Sequence, residues 1–145
     1  MEKIKMKVLL LLLMCFSLVA CSSTKTQDKI KIDVFVLSTC SNCQAFEKIA
    51  VPALEKEFGS QLELTLYDID EPENITKYHE VVKNLENYDD TYIDRVPFIV
   101  VDGYFALLAY NTGEEKTLIE DIHHALKGEN LSKTLEEGRW LFKEE

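Results

Sequence analysis

The spacing of apolar and polar positions changes several times along the chain, and each change marks an element. Residues 8–20 form a run of 13 interrupted only by Cys15 and Ser17, too short to span a bilayer and suited to the core of a signal peptide. Residues 30–37 (IKIDVFVL) are rich in β-branched and aromatic side chains, with Ile30, Ile32, Val34 and Val36 on one face. They predict a buried parallel strand. Ala45, Phe46, Ile49 and Ala50 then recur at helical spacing, Pro52 interrupts, and Ala53, Leu54 and Phe58 resume before Gly59. The expectation is a helix kinked or restarted at Pro52. Residues 62–67 alternate strictly and predict a second strand. Pro72 opens a helix to about Leu85, with Ile75, Tyr78, Val82 and Leu85 as its apolar stripe. After a polar, irregular stretch, residues 96–101 read as a strand, and Asp102-Gly103 as a type I′ hairpin turn into residues 104–110. Leu118, Ile119, Ile122, Ala125 and Leu126 mark a last helix closed by Gly128. This order, β-α-β-α-β-β-α, belongs to the α/β class: a central mixed sheet from two parallel strand–helix units, then an antiparallel hairpin and a helix.

The apolar run near the start has a basic flank, Lys3, Lys5 and Lys7 against Glu2, and ends in Leu18-Val19-Ala20-Cys21 before the composition turns polar. That ending resembles the lipobox of bacterial lipoproteins. The resemblance implies a signal peptide over residues 1–20, acylation of Cys21, and a lipidated N-terminus and tether over residues 21–29. Two or more acyl chains, at ~0.8 kcal/mol per buried CH₂, make a stable anchor. An ordinary signal peptide cut nearby, or an uncleaved anchor, are the alternatives. On the lipoprotein reading the mature chain works outside the cytoplasm, lipid-anchored to a bacterial membrane.

Charge agrees with that division. The 145 residues carry a formal net charge of −10; losing residues 1–20 removes three Lys and one Glu and leaves 13 basic against 25 acidic residues, a formal −12. So acidic a body is repelled by anionic lipid, leaving the acyl chains to hold it at the membrane. It also lacks the basic footprint that nucleic-acid binding needs.

Cysteine usage then narrows the chemistry. Of four cysteines, Cys15 leaves with the signal peptide and Cys21 is acylated, so the remaining pair is Cys40-Ser41-Asn42-Cys43. Structural zinc needs four ligands, and the neighbouring His123 and His124 would lie ~100° apart on a helix, awkward for one metal. A purely structural disulfide would close a very small loop and constrain the unfolded chain little. The pair follows a strand and, with Ser38-Thr39 as a natural cap region, opens a helix. A cysteine there faces unpaired N–H groups and the positive end of the macrodipole, which favour thiolate. Cys40 is therefore the expected attacking sulfur, and Cys43, one turn on, the resolving one.

Three features together, Cys40-Ser41-Asn42-Cys43 after the first strand, YDIDEPEN after the second, and VPFIVVDG opening the hairpin, resemble the thioredoxin-like superfamily over roughly residues 29–127. The helix segment CSNCQAFEKIAVPALEKEF is also similar to that of DsbA-type exported thiol-disulfide proteins. The resemblance implies a thioredoxin-like fold over residues 30–128. It also implies a cis bond before Pro97 beside the cysteine pair, and a Val96 backbone that pairs with an extended substrate peptide. It implies thiol-disulfide exchange with cysteine-containing exported proteins and a membrane redox partner, with no bound cofactor and no metal. Thioredoxin itself has Trp before the first cysteine and Gly-Pro between the two, where this chain has Thr39 and Ser41-Asn42. The buried acid that the family places six residues before the first cysteine is here Val34, with Asp33 one position off. No histidine lies between the cysteines, which leans the expectation towards a reductase. Two other classes remain open: a copper-handling lipoprotein holding Cu(I) on both thiolates, and a peptide-binding module without turnover.

Other residues have ordinary expectations. Asp33 reads as a partly solvated strand-end carboxylate or a partner of Lys31, Arg95 as a surface ion pair with Asp94, and Glu47 as part of a solvated face. Tyr104, Phe105 and Tyr110 read as sheet packing. Residues 129–145, with Trp140-Leu141-Phe142, are expected to form a helical extension packed on the domain.

Overall fold

A computed structural model describes residues 29–135 and 138–144. The expected signal peptide, Cys21 and the tether up to residue 28 lie outside the described residues. Among the described residues, five strands form one sheet in the order β2-β1-β3-β4-β5. They are β1 (Ile30–Val36), β2 (Leu62–Asp68), β3 (Phe98–Val101), β4 (Phe105–Leu108) and β5 (Arg139–Leu141). β1 and β2 are parallel, with Val34 opposite Leu66, and every other pairing is antiparallel. This is the expected mixed sheet in a thioredoxin-like arrangement, with one strand more.

The helices cover both faces. The chain leaves β1 into α1 (Ser41–Ala45), widens into a π-helical turn (Phe46–Ala50) and continues as α2 (Val51–Phe58). The Val51 N–H donates to the Phe46 carbonyl five residues back, and Pro52 at the next position has no N–H to give. The predicted interruption at Pro52 thus takes the form of one wide turn. α3 (Pro72–Lys83) and α4 (Glu115–Lys127) are the other α-helices among the described residues.

Alternation along β1 sorts the core into two layers. Ile30, Ile32, Val34 and Val36 pack with Cys43, Phe46, Ala50, Leu54, Leu118 and Ile122, placing α1, α2 and α4 on one face. Phe35 faces the other way with Tyr78, Val82 and Leu85, which places α3 opposite. Leu54 has 0% exposure, so Leu54→Ala is expected to lower unfolding stability by about 2–5 kcal/mol, as measured by urea denaturation.

Three local expectations are corrected. Among its described residues the tail forms no helix, against the expected helical extension: residues 139–141 pair with β4, Trp140 opposite Ala106, and Phe142 bridges to Leu85. Gly138 has φ of +71°, outside helical geometry, and the alternation after it turns Trp140 and Phe142 together towards the α3 layer. This covers the β4 edge. The hairpin turn is not type I′. Of its central residues only Gly103 has positive φ (+76°), and the Tyr104 N–H closes the turn on the Val101 carbonyl, as a type II turn allows. α3 ends at Lys83, yet Leu85 stays 2% exposed because the tail bridge holds it.

The tail is also tied by charge. Asp121 of α4, 0% exposed, takes an Arg139 guanidinium N–H at 2.8 Å, the Ser132 N–H at 2.6 Å and the Ser132 hydroxyl at 3.1 Å. On the far face, the buried Asp33 pairs most closely with Lys77 of α3 at 3.0 Å and more distantly with Lys31 at 3.8 Å. The expected partly solvated carboxylate is therefore a buried one under α3. The Tyr67 hydroxyl, accepting from Lys77 Nζ at 3.0 Å, and the Asp33 carboxylate together raise the Lys77 pKa. A raised folded-state value contributes stability that is complete below the unfolded lysine pKa of ~10.4 and is lost as pH climbs through the folded value. Lys77→Met is accordingly expected to flatten the alkaline limb of the stability–pH curve above about pH 10, read by thermal denaturation.

Candidate functional site

The C-terminal end of β1 delivers the chain into a tight turn in which the Cys40 N–H donates to the Leu37 carbonyl at 3.0 Å. Gln44 fastens this turn from the helix side through its side-chain amide on the Ser38 carbonyl, at 2.8 Å. Ser38 and Thr39 remain exposed and do not cap the helix. Cys40 itself is the N-cap residue, with extended backbone (φ −84°, ψ 113°), and its Sγ accepts the Cys43 N–H at 3.1 Å. A sulfur thus occupies the place a serine or aspartate oxygen usually takes.

Cys40 and Cys43 form a disulfide, with Cα atoms 5.2 Å apart. The two sulfurs are not equivalent. Cys43 has 0% exposure and packs among Phe46, Val34 and the rest of the first core layer, whereas Cys40 is only partly buried at the surface end of the helix. An external partner can meet Cys40 alone.

The loop entering β3 completes the site. The Val96–Pro97 peptide is cis, as the resemblance implied, and the Val96 carbonyl oxygen lies 3.8 Å from Cys40 Sγ. Val96 is half-buried, and Pro97 is buried with its carbonyl accepting the Ala109 N–H at 2.9 Å. The structure therefore brings together the four residues singled out within this domain: Cys40, Cys43, Val96 and Pro97. Cys21 lies outside the described residues.

Neighbouring charges fall differently from expectation. Arg95 does not pair with Asp94: its guanidinium lies over the Tyr92 ring, 5.2 Å from the centroid. Asp94 instead accepts from His79 Nε2 at 2.7 Å. The sequence reading missed this contact, because an i, i+15 pair across a loop has no periodic signature. His123 pairs with Glu57 and His124 with Glu129. Among the described residues no group of three or more His, Cys, Asp or Glu side chains gathers as a metal site. Glu47 is exposed, and Phe105 and Tyr110 are buried as expected, while Tyr104 is 40% exposed. Tyr110 stacks edge-on against Phe46 behind the cysteine helix. Burial, and then its 2.8 Å hydrogen bond to Glu115, push its hydroxyl pKa well above the ordinary tyrosine value.

Among the described residues, a disulfide-bonded Cys-x-x-Cys pair at the start of a helix, set in a mixed α/β sheet, is thus the chemically distinctive feature. No known protein family, curated protein or solved structure matches the chain.

Proposed function

We propose that the protein is a thiol-disulfide oxidoreductase whose Cys40 exchanges disulfides with cysteine-containing polypeptides. The observation that carries this reading is the asymmetry of the pair: an accessible Cys40 at the helix cap and a buried Cys43 one turn behind it. In the reducing direction the Cys40 thiolate, stabilised by the Cys43 N–H and the helix N-terminus, attacks a substrate disulfide. A Cys40–substrate bond forms as one substrate sulfur leaves as thiolate. Cys43 then gives up its proton, attacks Cys40 Sγ and expels the second substrate sulfur, so two electrons pass from the dithiol to the substrate. The oxidised pair described above is the product of that cycle. Running the steps backwards oxidises a substrate dithiol.

The Val96 peptide, with its carbonyl 3.8 Å from Cys40 Sγ, lies where an extended substrate backbone could add to the loop edge as a short strand. The lipobox resemblance supports a setting outside the cytoplasm, with the chain anchored through Cys21 and served by a membrane redox partner. The absence of histidine between the cysteines supports the reducing direction. The test is dithiothreitol-driven reduction of insulin disulfides. The wild-type protein is expected to accelerate it, and Cys40→Ser to leave only the uncatalysed rate. Equal rates for the two proteins would overturn the reading.

A further inference from the structure

Residues 86–95, which lead into Val96, contain a single regular turn, the 3₁₀ segment Asp90–Tyr92. They are held from the far side of the sheet by two consecutive residues of α3. Tyr78, with 0% exposure, places its hydroxyl 3.2 Å from the Arg95 carbonyl oxygen and 3.5 Å from that of Tyr92. His79 binds the Asp94 carboxylate, and Asp94 sits in the left-handed region at φ +63°, a conformation that must be held by its surroundings. The Tyr78 oxygen also lies 3.3 Å from the Tyr88 hydroxyl. Carbonyl oxygens only accept, so the single Tyr78 proton goes to Arg95 and Tyr92, and Tyr88 donates to Tyr78. Burial pushes the Tyr78 pKa far above the ordinary value, so that proton stays in place.

The Arg95 carbonyl belongs to the same planar unit as the Val96 N–H. That peptide is trans, so its C=O and N–H point in opposite directions. Fixing the carbonyl towards α3 therefore aims the Val96 N–H away from α3. An extended substrate backbone adding to the loop edge at Val96, as in the exchange reading above, takes this N–H as a donor. We propose that Tyr78 is a positioning residue for substrate docking: its hydroxyl fixes the Arg95–Val96 peptide plane and so orients the Val96 N–H. The inference rests on the proposed function and adds a residue that touches neither cysteine nor substrate.

The test compares wild type, Tyr78→Phe and Tyr88→Phe, as full-length proteins in detergent micelles, on two substrates. One is a disulfide-linked peptide long enough to lie along the loop. The other is hydroxyethyl disulfide, which has no backbone to pair. Tyr78→Phe is expected to raise KM for the peptide about fivefold, the loss of one hydrogen bond, with kcat and the hydroxyethyl disulfide rate unchanged. Tyr88→Phe removes the donor to Tyr78 but spares the bond to Arg95, and is expected to keep the wild-type KM. An unshifted KM in Tyr78→Phe, or equal rises in both variants, overturns the proposal. A second measurement does not depend on how Tyr78→Phe folds. In Cys43→Ser protein carrying the peptide as a mixed disulfide on Cys40, hydrogen exchange at the Val96 amide is expected to slow relative to unloaded protein. Equal exchange in the two overturns the proposal. A wild-type protein inactive on both disulfides overturns the exchange reading and the proposal with it, whereas an active wild type with an unshifted Tyr78→Phe overturns the proposal alone.

Discussion

Replacing Cys43 with serine is expected to turn a passing contact into a trap. Cys40 remains at the helix cap, still accepting the backbone N–H of residue 43, so the first attack proceeds and the substrate is held in a mixed disulfide. The serine hydroxyl cannot displace it, and turnover of insulin reduction falls to the uncatalysed rate while covalent complexes accumulate. Cys40→Ser should behave differently. Cys43 is 0% exposed within the first core layer, so its thiol cannot be reached by a polypeptide disulfide, and neither turnover nor adducts are expected. Non-reducing electrophoresis separates these outcomes directly. Adducts forming equally with either single variant would mean that the burial difference between the two sulfurs does not set their roles.

The second large effect concerns stability. Asp121→Ala should lower unfolding stability by about 3–5 kcal/mol, because it leaves the Arg139 guanidinium buried without its carboxylate. In a domain of this size that corresponds to a fall in Tm of roughly 10–15 °C. Arg139, whose side chain is 10% exposed, begins β5, so the loss should spread to the strand that covers the β4 edge and to the packing of Trp140 on Tyr88 at 4.8 Å. The double replacement Asp121→Leu with Arg139→Met removes both charges and should recover most of the loss, since well-packed apolar pairs often match a buried ion pair. Thermal denaturation of the two single variants and the double supplies the coupling. Additive losses would show that the pair is not coupled.

How much of this was legible in the sequence follows the range of the interactions involved. β1, α2, β2 and α3 announce themselves through period two or period 3.6 in their own residues, and Cys40 and Cys43 through four consecutive positions. These signals are local. β5 is not local: residues 139–141 become a strand because Leu107, Ala106 and Phe105 offer an unpaired edge, and nothing within those three residues distinguishes strand from helix. Asp121 did leave a trace, a carboxylate three residues after Leu118 and next to Ile122 on the apolar stripe. Its partner 18 residues away could not be named without the fold. Tyr78 was expected as a core ring, and it is one. Its hydroxyl acquires a second role only because a loop from 14 to 17 residues further on folds back over it. Cys40 displaced Ser38 and Thr39 as the helix cap because the Leu37–Cys40 turn sets the helix start just beyond the polar pair.

The most direct test of the central claim is the reduction potential of the Cys40–Cys43 couple, obtained by equilibrating the protein in graded glutathione buffers, alkylating free thiols and weighing the intact chain. Both cysteines are expected to gain and lose label together as one two-electron couple near the potential of thioredoxin, about −270 mV. A pair that stays oxidised below about −300 mV, across the whole glutathione range, would be a structural staple and would contradict the account.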